Sequence, residues 1–313
     1  IVSSLLGGVY SCLADDLGVR ATVPQLAEVL DSLAQAREKV TLSAAVAQIE
    51  KSRPAPSDGP VKPVFNAFAG GYAELYETLA EKSQADIHLD TFVSGIPFDA
   101  KTSKYSITGQ GGPGDTEAYD RGVVAAPAPT TARLLSKVAP EAAAALKPVK
   151  LASSAVVGLK FDSDAGLPDN SGVLIAADQP GVHAKAFTFS SKKWPHLKER
   201  IGDGALIRAS FGRFGDDALA REEEDTLVDY ALDDLLTITG FDARAAGVSE
   251  IYTQRWFGGL PRFDDNHLAT VATVREKIAA QPGLEVTGAW AGGVGVPAVI
   301  ADARAAAQRI LGS

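Results

Sequence analysis

The spacing of hydrophobic residues changes along the chain, and the changes divide it. Over residues 1–50 the spacing is helical: Leu26, Val29, Leu30 and Leu33 fall on one stripe, and Thr22-Val-Pro24 supplies a helix start. The run Arg53-Pro-Ala-Pro-Ser-Asp-Gly-Pro60 concentrates breakers of both helix and strand, which predicts a loop or linker and a boundary. From Val61 the pattern is mixed. Gly70-Gly71 leads into a helix carrying Leu75 and Leu79, Ile87–Val93 predicts a strand, and Lys104–Thr108 predicts its hairpin partner. Gly122–Ala126 is a short apolar strand, and Pro127 and Pro129 precede an alanine-rich helix over 130–146. Strands then dominate, at 155–161, 172–176, 184–190 and 205–211. An amphipathic helix over 217–239 carries Leu227, Ala231 and Leu235 on one stripe, with Gly240 placed to end it. A strand at 250–256, a Gly/Pro turn, a helix at 264–280, a strand at 284–288, a glycine loop and a helix from Pro297 to Leu311 complete the chain, with no internal repeat.

Composition narrows the class without choosing a function. The 313 residues are 46% hydrophobic and 22% charged, which excludes a disordered chain or a coiled coil. No apolar run is long enough to span a bilayer, so no transmembrane segment is expected. A net charge of −9 argues against general nucleic-acid binding but says nothing against small anions, which read local charge. The single cysteine, Cys12, excludes an intrachain disulfide and cysteine-rich metal sites, and fits a reducing cytosol. No signal peptide pattern opens the chain. His88, His183, His196 and His267 lack metal-ligand spacing, so no metal is expected.

Three segments invite chemistry. Gly109-Gln-Gly-Gly-Pro-Gly114 spells G-x-G-x-x-G, but it does not join a strand to a helix and Pro113 lacks an amide proton, so it reads as a hairpin loop. Val286–Ile300 runs strand, glycine loop, helix. Gly292, Gly293 and Gly295 let backbone approach a flat ligand, and a helix start offers free amides and partial positive charge to a reduced flavin. A tight turn packed closely for steric reasons explains the same glycines equally well. Finally, Lys185, Lys192, Lys193, Arg208 and Arg213 interleave with Phe187, Phe189, Trp194, Phe211 and Phe214. A cationic rim over apolar walls suits a large flat polycarboxylate; a packed aromatic face with snorkelling lysines is the plainer reading.

Taken in order, several segments resemble one family. Leu5-Leu-Gly-Gly-Val-Tyr-Ser11, Leu17–Thr22, Phe68-Ala-Gly-Gly-Tyr72, Lys185–Pro195, Arg208–Gly215, Arg255-Trp-Phe-Gly-Gly-Leu-Pro261 and Gly292–Ile300 are similar to the FAD-dependent porphyrinogen oxidases of haem biosynthesis, in the style of high-G+C Gram-positive bacteria. The family opens with a Rossmann strand and a G-x-G-x-x-G loop that this chain does not supply. With Ile1 at its start and no methionine anywhere, the chain looks like the family's C-terminal two-thirds.

The resemblance implies an α+β or α/β, FAD/NAD(P)-binding amine-oxidase-like flavoprotein fold without its N-terminal dinucleotide motif, together with a strand-rich substrate domain. Its divisions would be a helical part of the substrate-binding or cap region at 1–60, FAD-domain segments at 61–135 and 258–313, and the substrate domain at 136–257. It implies FAD as cofactor, hydride transfer from coproporphyrinogen III or protoporphyrinogen IX, and reoxidation by dioxygen. Another flavin oxidoreductase of the amine-oxidase type, or a non-catalytic porphyrin-binding fragment, are the alternatives. No catalytic acid or base is expected.

Residue by residue, Val93 matches the adenine-side contact, Trp256 a position close to the flavin, and Gly293, Val294, Gly295 and Val296 the C-terminal flavin contact. Leu174, Lys185 and Phe211 match the substrate strands, and strand alternation would put Arg213 on the face of Phe211. A lysine at 185, where some relatives carry an apolar residue, favours the substrate with more carboxylates. The expected partners are a porphyrinogen and dioxygen, with no nucleic acid. The expected location is cytoplasmic, with peripheral membrane contact and a homodimer left open. The central expectation is spatial: the glycine tail and the phenylalanine-bearing sheet meet across one slot.

Overall fold

The computed structural model describes residues 2–53, 65–112 and 117–312. Most of the breaker-rich run at 53–60, and Pro113-Gly114 of the glycine motif, therefore lie outside the described residues. The chain opens with helices α1 (Val2–Tyr10), α2 (Val19–Thr22), α3 (Pro24–Gln35) and α4 (Leu42–Ser52). Pro24 stands at the start of α3, where its missing N–H costs nothing. The Thr41 hydroxyl caps α4 by accepting from the Ala44 amide at 3.1 Å. Helix α5 (Ala73–Ser83) carries Leu75 and Leu79 as expected, yet none of its residues is buried.

Four short strands follow: β1 (Phe92–Gly95), β2 (Phe98–Asp99), β3 (Lys104–Tyr105) and β4 (Thr108–Gln110). The expected hairpin partner proves to be two strands. Lys104-Tyr105 pairs with Phe98-Asp99, and Thr108–Gln110 pairs with Phe92–Gly95. The inner turn is fixed locally, because the Asp99 carboxylate accepts from the Lys101 amide at 2.9 Å and from the Thr102 hydroxyl at 3.0 Å. Gly109 therefore belongs to a strand and not to a loop; a Cβ there would lie 1.8 Å from the Phe92 carbonyl oxygen.

Strand β5 (Gly122–Val124) is followed by α6 (Ala128–Leu135) and α7 (Pro140–Leu146). The expected single alanine-rich helix is broken because Pro140 can begin a helix but not continue one. Strands β6 (Leu151–Phe161), β7 (Gly172–Leu174) and β8 (Ala186–Phe189) come next. A helical turn α8 (Ser190–Lys193), helix α9 (Pro195–Ile201) and strand β9 (Ala205–Phe211) lead to α10 (Glu224–Thr239), which Gly240 ends with φ +76°. Strand β10 (Val248–Pro261) runs through the expected Gly/Pro turn; Gly258, at φ +59°, absorbs a register irregularity between Trp256 and Leu260. Helix α11 (His267–Ala279), strand β11 (Leu284–Val286), the turn α12 (Ala289–Gly292) and helix α13 (Val296–Gly312) finish the chain.

Two cores result. The antiparallel sheet β10-β6-β9-β8-β7 turns alternate residues, among them Val157, Leu159, Phe161, Phe187, Phe189 and Phe211, onto Leu227, Ala231 and Leu235 of α10. The second core brings distant segments together. β5 and β11 pair in parallel, and Val124, Leu135, Leu146, Val274, Val286 and Trp290 pack around them. Helix α7 belongs to this second core, so the break between cores falls near residue 150, later than the expected 136.

Candidate functional site

The glycine tail is held by a buried polar network. Asp302, on α13, accepts from the Thr287 hydroxyl at 2.7 Å and forms an ion pair with Arg275 of α11. Arg275 also donates to the Ala291 carbonyl at 3.3 Å. A Cβ at Gly292 would sit 2.3 Å from the Asp302 Cβ, so this glycine exists for close packing. Gly293 and Gly295, at φ +121° and +101°, are there for backbone conformation, and a Cβ at Gly295 would meet open space. Burial holds the His267 pKa below its ordinary value, so the neutral ring donates from Nε2 to the Trp290 carbonyl at 2.7 Å. The Trp290 indole donates to the Ala126 carbonyl at 3.1 Å, tying the tail to the end of β5.

Between these elements lies a mainly apolar cavity of about 310 Å³. Small residues, Ala126, Ala128, Gly258, Gly259, Gly288 and Ala303, line it together with the larger Leu151, Trp290, Val299, Pro127 and Pro261. A mainly apolar lining with glycine on one side fits a flat ring, and the first turn of α13, which contributes Val299, offers amides without intrahelical partners and partial positive charge. The residues present therefore fit a flavin ring system. Gly293, Val294, Gly295 and Val296 form the turn that enters α13. Trp256, two residues before Gly258, is 55% exposed on the sheet. Val93 lies apart from these, beside Ile87, Thr91, Ile107 and Tyr119 at another cavity.

The phenylalanine-bearing face does not meet the tail. Phe211 is 0% exposed in the core under α10, which corrects the expectation that it touches a ligand. The slot cannot use that face, because α10 already fills it. The opposite face of the same sheet is open. It carries Trp256, Tyr252, Arg208 and Leu174, and register places Leu174 opposite Ala186 and Ala186 opposite Ser210. Leu174 is 48% exposed and packs on α1, where a Cβ at Gly8 would lie 2.9 Å from its Cδ2.

Lys185 is corrected likewise. It precedes β8, is only 5% exposed, and donates to the Ser11 hydroxyl at 2.6 Å and the Gly212 carbonyl at 2.7 Å. Burial, and secondarily the Arg213 guanidinium, lower its pKa to about 8. Arg213 does not share the face of Phe211 by alternation, because β9 ends at Phe211 and Gly212 turns the chain at φ +81°. Its Nη2 donates to the Ile175 carbonyl at 3.4 Å. Both cations serve the junction where α1 meets the sheet, which the Phe214 amide also ties by donating to the Ser11 carbonyl at 2.6 Å. Lys192 pairs with Asp164 at 3.4 Å. Of the basic cluster, Lys193 and Arg208 line the open face.

The Asp302–Thr287–Arg275 network was not anticipated. One signal was available: Asp302, Ala306 and Ile310 fall at i, i+4 and i+8 of the last helix, which puts a carboxylate on its buried stripe.

No family model matches the chain. In fold it is similar to solved flavoproteins. It superimposes with a TM-score of 0.79 and 25% identity on a protein assigned as a protoporphyrinogen oxidase from Exiguobacterium sp. 255-15, covering 100% of this chain and 63% of that one. A putrescine oxidase variant gives a TM-score of 0.60 at 16% identity, over 78% of this chain and 54% of that one. The class is thus an amine-oxidase-like flavoprotein fold. In sequence, the chain is 35% identical over 310 residues to the coproporphyrinogen III oxidase of Mycobacterium tuberculosis, covering 99% of this chain and 62% of that protein. The Mycobacterium leprae protein of the same name is 36% identical, with 63% of it covered. The chain is a homologue of the coproporphyrinogen III oxidases and spans about three-fifths of their length. None of its described helices is long and apolar enough to cross a membrane.

Proposed function

We propose that this chain supplies the substrate sheet and the flavin-ring wall of an oxygen-dependent coproporphyrinogen III oxidase. The observation that carries this reading is an uncovered sheet face on the same long strand, β10, that walls the glycine-lined cavity. Bound there, FAD would accept hydride from the porphyrinogen and pass the electrons to dioxygen.

The chain's own part is positioning. The backbone of Gly293, Val294, Gly295 and Val296 brings the start of α13 to the ring edge, where its amides favour negative charge. Trp256 borders the ring, and Leu174 supplies apolar contact to the macrocycle from the far edge of the sheet. Val93, which lines a separate cavity, takes the adenine end in this reading. In this role the helices up to Ser52 form a cap, the segments packed in the second core form the flavin side, and the five-stranded sheet with α10 forms the substrate side.

Mixing the chain with FAD, then with coproporphyrinogen III in air, tests the reading. Retained absorbance at about 450 nm, the signature of a bound flavin, followed by growth of porphyrin fluorescence supports it. A chain that binds no porphyrin, with or without flavin, overturns it. A second reading, porphyrin binding without turnover, expects porphyrin to bind with no retained flavin absorbance and no growth of fluorescence from the porphyrinogen.

A further inference from the structure

The open face of the sheet leads into a second cavity, of about 900 Å³, away from the glycine tail. Its floor is one row across four strands: Tyr252 opposite Gly158, Gly158 opposite Arg208, and Arg208 opposite Thr188. Gly158 has no side chain, so Tyr252 and Arg208 flank a shallow seat. Lys193 and Trp194 rise at one side. Phe68 and Tyr72, edge to face at 5.6 Å between ring centroids, line the cavity as well.

The charge is unbalanced. Glu250, which also lines the cavity, is paired with Lys160. Among the described residues Arg208 and Lys193 form no ion pair; the Lys193 ammonium lies 4.9 Å from the Phe65 ring centroid and 5.3 Å from that of Trp194. Aromatic walls with unpaired cations suit a flat molecule carrying several carboxylates.

Distance decides what part of that molecule sits here. Tyr252 stands opposite Gly158 and the Gly258 amide meets Ser153, five residues away on β6, roughly 17 Å at strand rise, too far for a ring in this cavity to meet a flavin at the roughly 3–3.5 Å of a reacting pair. Tyr252 and Trp256 are four residues apart, roughly 13 Å, a span comparable with a tetrapyrrole and its side arms. We propose that Arg208, with Lys193 beside it, reads the propionates of a tetrapyrrole lying over the open face, and so favours a tetracarboxylate over a dicarboxylate. This rests on the porphyrinogen reading above, and moves the specificity role from the sealed Lys185 to Arg208.

The test needs no flavin. The chain is titrated with coproporphyrin III, with a dicarboxylate porphyrin and with coproporphyrin tetramethyl ester, following the porphyrin absorbance band and the Trp194 emission lost in Trp194→Phe. The unmodified chain should bind the tetracarboxylate best and the ester worst. Arg208→Gln should weaken the tetracarboxylate about tenfold, as expected for one charge-assisted hydrogen bond, and leave the ester and the melting temperature unchanged. Lys193→Gln should give a smaller loss, and Arg208→Lys should recover part of the affinity. If Arg208→Gln and Lys193→Gln both bind coproporphyrin as the unmodified chain does, or if the ester binds as tightly as the acid, this assignment fails while the porphyrinogen reading survives. If no porphyrin binds the unmodified chain, the porphyrinogen reading itself fails, and this assignment with it.

Discussion

The two faces of the five-stranded sheet are made by the same strands and have opposite fates. On one, Phe187, Phe189 and Phe211 are sealed beneath α10. On the other, Trp256, Tyr252 and Leu174 stay exposed beside Arg208 and Thr188. Burying each large apolar side chain contributes about 1.5–3 kcal/mol, so the helix takes the more uniformly apolar face. The mixed face, with hydroxyls and cations among its apolar groups, is left for a partner. Density of aromatic residues therefore marks the face that folds the protein; the face available for binding is marked by what the covering helix leaves.

The sharpest way to break this contrast is Phe211→Ala. A fully buried phenylalanine should cost about 3–5 kcal/mol in urea unfolding. If the variant instead kept its stability and lost porphyrin affinity, the two faces would have to be exchanged.

Lys185 tests the same contrast through pH. Its pKa falls from the ordinary 10.5 to about 8 in the folded chain, a difference worth roughly 3 kcal/mol. Below pH 8 the side chain is charged in both states, and the folded state bears the full cost of burying it. Between pH 8 and 10.5 the folded chain releases the proton while the unfolded chain still holds it, so stability rises with pH. Above 10.5 the gain is complete. The neighbouring Cys12 thiol opposes this rise, because burial holds it protonated up to about 11 in the folded chain while the unfolded thiol ionises near its ordinary 9.0, so the rise is read in a Cys12→Ala background. Lys185→Met should abolish the rise seen in unfolding measured against pH. A rise that persists would mean that Lys185 reaches solvent and is free for a ligand after all.

At the glycine tail, two alanine substitutions should separate packing from conformation. Gly292→Ala places a methyl against Asp302, which Thr287 and Arg275 hold in place, and should cost about 1–3 kcal/mol as overpacking. Gly295→Ala meets no atom and should cost only the strain of a positive φ, about 1 kcal/mol. Equal unfolding midpoints for the two variants would show that the Asp302 network is loose and does not fix the tail.

Much of the architecture was legible because local chemistry dictated it. Pro24 starts a helix, Gly240 ends one, and the strand at 205–211 matches its alternation. The homology was also legible, because ordered segments such as Arg208–Gly215 and Gly292–Ile300 carry it. What escaped was decided at long range. Alternation shows which residues share a face, but which face is covered depends on α10, whose first residue lies thirteen positions after Phe211. Arg213 was misplaced because a single turn at Gly212 ends the alternation just before it. Lys185 was misread because its partner Ser11 comes from the far end of the sequence. The hairpin at 92–110 was misdrawn because two nested pairings share one stretch of chain.

The smallest expected effect on stability is the most discriminating for binding. Leu174 lies on an edge strand of the open face, half exposed, with α1 packed against it at Gly8. Leu174→Ala removes apolar surface that water already reaches in part, so unfolding should change by no more than about 1 kcal/mol. If a tetrapyrrole spans this face, the same side chain is buried on binding, and coproporphyrin affinity should fall several-fold while stability barely moves. Phe211→Ala shows the reverse ratio if the faces are correctly assigned. A Leu174→Ala variant that loses stability as heavily as Phe211→Ala, with no separate loss of affinity, would make the open face as structural as the covered one.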